Sequence, residues 1–362
     1  MTAIQRLIDS PWRGVFYAAG GSLLISDLAT SRGASKVLLA AHVPYHNQAM
    51  IDLLGYEPRS YCSALTSRRL AMRALLQARQ LTKAPDGRSL YGVGITAALR
   101  SDQPKRGEHR AYLALQTSHK TVVWHIPFEK DALSRRQEER KLADLSLRLL
   151  ASGLELEDDT ADFNLVGTAL VNDSVAQLLG ETPAFHGDPG RAVLPGAFNP
   201  LHDGHRRIFD IAKQRLNQRV AFELSVRNVD KPGLDFIDID ERVNQFGSDA
   251  YVLTNQPKFI EKARLLFNKA GGTFVVGSDT VARIDHVRYH ESAKHRNDAI
   301  AELRDLGIRF LVFGRREGDE FRTLDDLELG ADLTDLCDGV AASEFRCDIS
   351  STEIRTQRKT TL

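Results

Sequence analysis

Short apolar segments alternate with amphipathic helical patterns along most of this 362-residue chain. Strands separated by helices of this length are typical of a parallel sheet that is covered on both faces. The alternation therefore predicts the α/β class, with a C-terminal doubly wound, Rossmann-like parallel-sheet domain preceded by another α/β domain. In such sheets ligands bind beyond the carboxyl ends of the strands, which is where candidate site residues are expected.

A change in composition separates the alternating pattern into two runs. The segment 154–190 starts with acidic residues and continues with Pro183, Gly187, Pro189 and Gly190, which favour turns and loops. We therefore predict an N-terminal domain at 1–153, a linker at 154–190 with a short helix at 174–179, and a C-terminal domain at 191–362. Strands are predicted at 14–18, 36–41, 91–96, 110–116, 120–126, 192–195, 221–226, 273–277 and 309–313. Helices are predicted at 48–54, 65–81, 133–150, 204–216, 240–247, 258–270 and 295–306.

Charge and cysteine content limit the classes of function. Lys plus Arg equals Asp plus Glu at 48 each, so the concentrated basic surface of a nucleic-acid binder is not expected. Three cysteines without a CxxC spacing argue against a disulfide framework or a structural zinc site and fit a reducing cytosol. The first twenty residues lack the sustained apolar core of a signal peptide, so none is expected, and no apolar run approaches the roughly 20 residues that span a bilayer. We expect a cytoplasmic protein with small-molecule partners, no nucleic acid and no membrane.

Residues 193–205, VLPGAFNPLHDGH, run from a predicted strand directly into a predicted helix. His202 and His205 lie three residues apart and therefore on one face of the first helical turn. Gly204 removes a side chain, so a phosphate could approach the backbone there. Near the other end of the chain, 349–355 (ISSTEIR) also has the pattern of a helix N-terminus. Because helix N-termini offer unpaired N–H groups and a positive dipole end, the two segments together predict a polyphosphate site.

Four blocks carry a resemblance to a known family: 196–205, Gly277-Ser-Asp279, 310–315 and 349–355. The C-terminal half resembles the nucleotidyltransferase superfamily with the (T/H)xGH motif, most closely its nicotinamide or nicotinate mononucleotide adenylyltransferase branch. The resemblance implies that a mononucleotide phosphate attacks the α-phosphorus of ATP and expels pyrophosphate, as part of NAD biosynthesis, with Mg²⁺ as cofactor and without a covalent intermediate. Positioning and charge neutralisation, more than a nucleophilic side chain, are what such a transfer requires.

The resemblance also implies roles for individual residues. His202 and His205 would donate hydrogen bonds to the α-phosphate. The β- and γ-phosphates would be held by Ser350, Ser351, Thr352 and Arg355. Asp279 would accept from a ribose hydroxyl or help place the metal, whose protein ligands are left unknown, and Arg315 is a weaker candidate. Acceptor-binding residues are Lys231 and Arg242. Nucleotide-binding residues are Gly196, Ala197, Phe198, Asn199, Gly204, Gly277, Asp279, Ser350, Ser351 and Thr352.

The C-terminal half departs from the family pattern in ways that leave alternatives open. Position 197 is alanine where many members have Thr or Ser, and Asn199 stands where aspartate is common. The tryptophan that follows the GSD block in nicotinate-specific bacterial members has no counterpart in 280–290. A cytidylyltransferase, or transfer to another phosphorylated acceptor, is therefore the alternative enzyme. A non-catalytic nucleotide-binding regulator is the alternative from another class.

Residues 15–24, 43–55 and 92–96 resemble the CinA C-terminal family, which includes nicotinamide mononucleotide deamidases. The catalytic serine of that family falls at Tyr17, its lysine at Met50, and its tyrosine is retained as Tyr45. A chain without serine and lysine lacks both the nucleophile and its activator. The resemblance thus predicts an inactive binding or dimerisation domain, which implies a homo-oligomer formed through it, and leaves Ser22 as the hydroxyl to test.

Overall fold

We describe a computed structural model of the chain. The described residues are 2–83, 87–102, 106–157, 164–227, 233–318, 320–347, 349, 351 and 353–355. They form two compact units. The first unit contains Met1–Ala176 and Asp230–Ile239, and the second contains Gln177–Val229 and Asp240–Leu362. The boundary between 176 and 177 lies inside the segment that the sequence predicts as a linker.

The first unit is built on a six-stranded sheet in the order β2-β1-β3-β4-β5-β6. Strand β1 pairs in parallel with β2 and β3, and the remaining neighbours are antiparallel. The strands are β1 (Arg13–Ala19), β2 (Leu38–His42), β3 (Leu90–Ala98), β4 (His109–Thr117), β5 (Lys120–Phe128) and β6 (Leu165–Leu170). The helices are α1 (Ala3–Asp9), α2 (Leu23–Thr30), α3 (Asn47–Leu54), α4 (Ala64–Thr82), α5 (Arg135–Gly153) and α6 (Asp173–Ala176).

Two glycines of β3 allow α4 to pack against the sheet. A Cβ on Gly92 would lie 2.1 Å from the Ala71 carbonyl oxygen, and one on Gly94 would lie 2.0 Å from that of Ser67. Since no side chain fits into this space, the helix backbone contacts the strand directly. The N-terminus of α4 is capped by Ser63, whose hydroxyl accepts a hydrogen bond from the Thr66 amide at 3.1 Å.

Four buried charged side chains join α4 to the segment 233–239 of the first unit. Arg68 donates to Asp235 at 2.8 Å and to Asp238 at 2.6 Å, and Arg69 donates to Asp235 at 3.0 Å. Asp235 also caps the next helix, because its Oδ1 accepts from the Asp238 amide at 3.0 Å. Burial of charge is tolerated only where it is paired in this way.

The second unit contains a seven-stranded sheet in the order β15-β12-β11-β8-β9-β10-β7. All neighbours are parallel except β7, which pairs antiparallel with β10 at one edge. The strands of this sheet are β7 (Phe185–Gly187), β8 (Ala192–Pro195), β9 (Val220–Ser225), β10 (Tyr251–Thr254), β11 (Gly272–Gly277), β12 (Ile308–Phe313) and β15 (Cys337–Val340). A separate hairpin is formed by β13 (Arg315–Glu317) and β14 (Glu320–Arg322).

Helices follow most strands of this sheet. They are α7 (Asp203–Leu216), α8 (Phe236–Val243), α9 (Phe259–Leu266), α10 (Ser278–Asp285), α11 (Ala293–Asp305) and α12 (Ala331–Thr334). The parallel strands run outwards in both directions from β8, first to β9 and β10, then to β11, β12 and β15. This is the doubly wound order, and its topological switch point lies between β8 and β11. The predicted α/β class and the parallel second sheet are confirmed.

The structure differs from the sequence prediction in several elements. The segment 154–190 contributes β6 to the first sheet and β7 to the second. The exposed apolar residues of β6 form an edge strand, whose sequence carries no clear burial pattern. Helix α8 starts at Phe236 instead of 240, because Asp235 caps it. The acidic stretch 325–338, for which no helix is predicted, contains α12, whose Leu333 is buried in the core.

Candidate active site

The loop between β8 and α7 lies at the switch point of the second sheet. Its shape is set by Gly196 and Phe198: a Cβ on Gly196 would lie 2.5 Å from the Phe198 ring. Phe198 has a positive φ of 45° and is 1% exposed. Its ring packs edge to face, with centroids 5.2 Å apart, against Phe222 and Phe246. The Phe198 side chain therefore belongs to the core, so a contact between Phe198 and a nucleotide would have to be made by its backbone.

Two residues that follow the start of α8 hydrogen-bond this loop. Arg242, predicted to bind the acceptor, donates to the carbonyl oxygen of Ala197 at 3.1 Å. Gln245, which the sequence analysis did not identify, accepts from the Leu201 amide at 2.8 Å and donates to the Phe198 carbonyl at 3.1 Å. The backbone of this loop is thus held in place by residues that follow β9 in the chain, and Arg242 is one of them.

The two histidines form a stacked pair at the start of α7. Their ring centroids are 3.8 Å apart, and the His205 amide donates to the His202 carbonyl at 2.9 Å. The His202 amide donates to Nδ1 of His205 at 3.3 Å. Since Nδ1 accepts this bond, His205 carries its proton on Nε2, which is free to donate to a ligand. Within the described residues, the buried Nδ1 of His202 has no hydrogen-bond partner.

Both imidazoles are held in the neutral form. Burial lowers the pKa of His205 to about 3, and the charges of His202 and Arg315 act in the same direction. Burial also lowers the pKa of His202, assisted by Arg315 and opposed by Asp203. At neutral pH the pair therefore presents N–H donors without a resident positive charge.

Gly204 lies between the two histidines, at a position where protein atoms already occupy the space of a side chain. A Cβ at this position would lie 2.8 Å from the Sγ of Cys347 and 3.0 Å from Cε1 of His202. The space beside Gly204 is thus filled by protein, so the missing side chain serves packing. The close approach brings the chain near residue 347 against the start of α7.

The C-terminal segment reaches the same loop. Ser351 Oγ donates to the carbonyl oxygen of Pro200 at 3.0 Å, and the guanidinium of Arg355 donates to that of Asn199. Ser351 and residues 353–355 are helical, as the sequence predicts. The structure therefore brings together Asn199, the histidine pair, Ser351 and Arg355. The predicted residues Ser350, Thr352 and Lys231 lie outside the described residues.

Gly277 and Asp279 lie at the end of β11, on the other side of the switch point from β8. Asp279 Oδ2 accepts from Arg283 at 2.8 Å and from Arg315 at 2.9 Å. Its buried Oδ1 and the Oγ of Ser278, which is 0% exposed, have no hydrogen-bond partner in the part of the chain that the structure describes. Unpartnered buried polar atoms are rare in folded proteins, so these two atoms are candidates for a hydrogen bond to a bound molecule. Arg283 was missed by the sequence analysis, although its i,i+4 spacing from Asp279 on a helix was a usable signal.

Side chains that could hold a metal ion do not cluster in the part of the chain that the structure describes. Within the described ranges, no three His, Cys, Asp or Glu side chains come together as a metal site would require. Magnesium seldom needs such a centre, because in phosphoryl-transfer sites it is carried largely by substrate phosphates and water.

The residues predicted from the CinA resemblance can be placed in the first unit. Tyr17 donates its hydroxyl to Gln77 at 2.8 Å and stacks on His42, with centroids 4.7 Å apart. Burial raises the pKa of this phenol. A pocket of about 210 Å³ in the same unit is lined by Tyr45 and Met50 but not by Tyr17 or Ser22. Tyr17 is thus a buried packing residue that does not line this pocket.

One protein-family model matches most of the second unit. The family model described as cytidylyltransferase-like matches residues 193–357, a range that includes the histidine pair, Asp279 and Arg355. These residues form a cytidylyltransferase-like domain. The match supports a nucleotidyltransferase-type activity for the domain, in agreement with the predicted (T/H)xGH resemblance.

Several solved structures are similar to the N-terminal 40% or so of the chain. A competence/damage inducible protein CihA from Agrobacterium tumefaciens has 17% identity and a TM-score of 0.35, over 41% of this chain and 92% of that one. A CinA superfamily protein from Escherichia coli has 18% identity and a TM-score of 0.32, over 42% and 84%. A competence or damage-inducible protein from Enterobacter asburiae has 16% identity and a TM-score of 0.34, over 43% and 99%.

No curated protein sequence matches the chain. Every helix among the described residues is too short or too polar to span a bilayer.

Proposed function

We propose that the cytidylyltransferase-like domain transfers AMP from ATP to a phosphorylated acceptor, nicotinamide or nicotinate mononucleotide, and releases pyrophosphate. The observation that carries the proposal is the convergence of the neutral histidine pair and the C-terminal segment on one loop. That loop lies at the topological switch point, where ligands of doubly wound sheets bind. Two imidazole donors at the start of α7 and a guanidinium bound to the preceding loop suit a triphosphate better than an uncharged ligand.

The reaction is a single displacement at the α-phosphorus. An oxygen of the acceptor phosphate forms the new P–O bond as the bond between the α-phosphorus and the bridging oxygen to the β-phosphorus breaks. The electron pair of that bond leaves with pyrophosphate. No side chain is acylated or phosphorylated, so the protein contributes orientation and charge stabilisation.

The histidine pair supplies donors to the oxygens of the α-phosphate. Nε2–H of His205 is available because its Nδ1 accepts the His202 amide. A neutral N–H donor stabilises the negative charge that develops on the phosphate oxygens in the transition state. It binds the anionic ground state less strongly than a positively charged group would. Preorganised donors of this kind stabilise a transition state more than they bind the substrate.

The C-terminal segment supplies contacts to the β- and γ-phosphates. The guanidinium of Arg355 is held at the loop by its bond to the Asn199 carbonyl and brings positive charge to this place. Ser351 is fixed by its bond to Pro200. We extend this role to Ser350 and Thr352, and we assign Lys231 to the acceptor phosphate. Mg²⁺ is expected to arrive with ATP and to lower the charge of the triphosphate.

A second donor nucleotide is favoured by one observation. The family whose model matches 193–357 is described as cytidylyltransferase-like, so CTP is the alternative to ATP. A pyrophosphate-release assay with Mg²⁺ separates the two when each nucleotide is combined with nicotinamide mononucleotide, nicotinate mononucleotide or buffer alone. Release with ATP that depends on a mononucleotide supports the proposal. Release only with CTP, or none with either nucleotide, contradicts it.

A further inference from the structure

Three side chains at the ends of β11 and β12 form a charged cluster, which we call the Arg283–Asp279–Arg315 cluster. Asp279 and Arg283 lie on the first turns of α10, and Arg315 starts β13 directly after β12. Both guanidiniums donate to one carboxylate oxygen, Oδ2, at 2.8 and 2.9 Å. The Nε of Arg283 also donates to the Asp279 carbonyl at 3.2 Å.

The cluster carries more positive than negative charge. Two guanidiniums share one carboxylate, so one positive charge is left uncompensated. The side chains of Arg283 and Arg315 are 55% and 52% exposed, whereas that of Asp279 is 19% exposed. Exposed ion pairs contribute little to stability, so folding alone gives little reason for two arginines to converge on one oxygen.

Most donors of the two arginines are available. Beyond the bonds to Asp279, neither guanidinium makes another hydrogen bond within the described residues. The remaining N–H groups belong to planar forks whose orientation Asp279 fixes. A planar pair of donors matches the oxygens of a phosphate group in both geometry and charge.

The cluster also lies close to the histidine pair. Arg315 is near enough for its charge to lower the pKa of both His202 and His205. β11 is the strand that flanks the switch point opposite β8, so the cluster and the histidine loop border one crevice of the sheet.

We propose that Arg283 and Arg315 bind a phosphate group of a substrate, and that Asp279 is the positioning residue that orients them. This inference rests on the proposed function and deepens it, because it assigns a second phosphate subsite beside the histidine pair. Asp279 then acts through the arginines, and its Oδ2 is already used by them. The phosphate belongs either to the acceptor or to the nucleoside triphosphate, and the experiment distinguishes these sources.

The test uses the full chain and isothermal titration with four probes: nicotinamide mononucleotide, its dephosphorylated riboside, ATP with Mg²⁺, and inorganic phosphate. The variants are R283Q and R315Q. The matched control is R316Q, which removes the same charge from the adjacent residue, whose Nε binds the Gly318 carbonyl. Losing a charge-assisted hydrogen bond should weaken binding of the phosphorylated probe by about tenfold or more.

The outcomes separate the two sources. A weaker affinity for the mononucleotide, with unchanged affinities for riboside and ATP, assigns the subsite to the acceptor phosphate. A weaker affinity for ATP alone assigns it to the triphosphate. The proposal would be overturned if R283Q and R315Q bound every phosphorylated probe with the same affinity as R316Q, even if the wild-type protein releases pyrophosphate. Conversely, if the arginines bind phosphate but the wild-type protein releases no pyrophosphate, only the proposed function would be contradicted.

The positioning role of Asp279 has its own readout. D279N keeps the shape of the side chain but removes the charge that attracts both arginines. It should weaken the binding of the same phosphorylated probe that R283Q affects, while leaving the riboside affinity and the unfolding midpoint unchanged. A purely structural role would instead shift the midpoint or weaken all probes alike.

Discussion

Arg355 donates a hydrogen bond to the carbonyl oxygen of Asn199, across 156 positions of sequence. The bond joins the C-terminal segment to the loop that precedes the histidine pair. Together with the bond from Ser351 to Pro200, it brings two motifs from opposite ends of the domain to one place. This convergence is what a site that handles a triphosphate requires, because the α-phosphate and the terminal phosphates must be bound at once.

Replacing His205 with alanine should lower turnover with little change in ATP affinity. The variant loses one preorganised donor, and such a loss costs about 2.7–4 kcal/mol of transition-state stabilisation, or roughly 10²–10³ in kcat. Steady-state pyrophosphate release measures it. H295A, a change of an exposed histidine on α11, is the matched control. Equal turnover of H205A and the control would remove His205 from the mechanism.

Replacing Arg355 with alanine should mainly weaken ATP binding. The variant loses the guanidinium that we propose binds the terminal phosphates, and it loses the bond to the Asn199 carbonyl. A charge-assisted hydrogen bond contributes about 1.5–3 kcal/mol, so the Kd for ATP should rise roughly tenfold to a hundredfold. Titration with ATP and with the mononucleotide compares the two sites. An effect on the acceptor alone would show that the C-terminal segment has been assigned to the wrong substrate.

Gly204→Ala should destabilise the domain and reduce activity, because its Cβ would lie 2.8 Å from Cys347 Sγ. Overpacking of this kind typically costs about 1–3 kcal/mol. C347A removes the sulfur, so the double variant G204A/C347A should recover part of the loss. A double-mutant cycle from urea unfolding measures the coupling. Strict additivity of the two substitutions would mean that this contact does not explain the glycine.

Arg68→Met should strongly destabilise the first unit. It leaves Asp235 and Asp238 with fewer partners in a buried environment, and removing one member of a buried ion cluster typically costs about 3–5 kcal/mol. The control is Arg140→Met, which breaks the half-exposed pair with Asp27 and should cost at most about 1 kcal/mol. Denaturant unfolding of the full chain compares them. Similar costs for both variants would contradict the account of the buried cluster.

The low pKa of His205 predicts a pH dependence of stability with a definite sign. Its folded pKa of about 3 lies below the ordinary value of 6.5, so between these pH values the unfolded chain binds more protons. Stability from this group is therefore complete above pH 6.5 and falls as the pH drops towards 3, by up to about 1.4 kcal/mol per pH unit. H205Q cannot titrate, so its unfolding midpoint should fall less than that of the wild type between pH 7 and pH 4.5. A steeper fall in H205Q would reverse the sign and contradict the assignment.

Much of the fold could be predicted because strand and helix periodicity is a local property. The strands β8, β9, β11 and β12 lie within a residue or so of the predicted ranges. The edge strand β6 could not be predicted in this way, since its exposed apolar side chains follow no burial pattern. The predicted start of α8, at residue 240, was too late. Its cap, Asp235, is held in place by an ion cluster with residues 68 and 69, which are distant in sequence.

The candidate site was predictable at the level of motifs but not of contacts. The spacing of His202 and His205 correctly placed both on the start of one helix. The reason for Gly204 depends on Cys347, which is distant in sequence, and the inward turn of Phe198 depends on a cluster of phenyl rings. Both are tertiary relationships that a linear pattern does not contain.

The most direct test measures the products of wild-type and H205A protein with ATP, Mg²⁺ and nicotinamide mononucleotide. Chromatography with mass detection should find the adenylated dinucleotide and pyrophosphate in equal amounts from the wild type, with a rate roughly 10²–10³ lower for H205A. Binding of ATP without formation of either product, or equal rates for the two proteins, would contradict the account of the histidine pair.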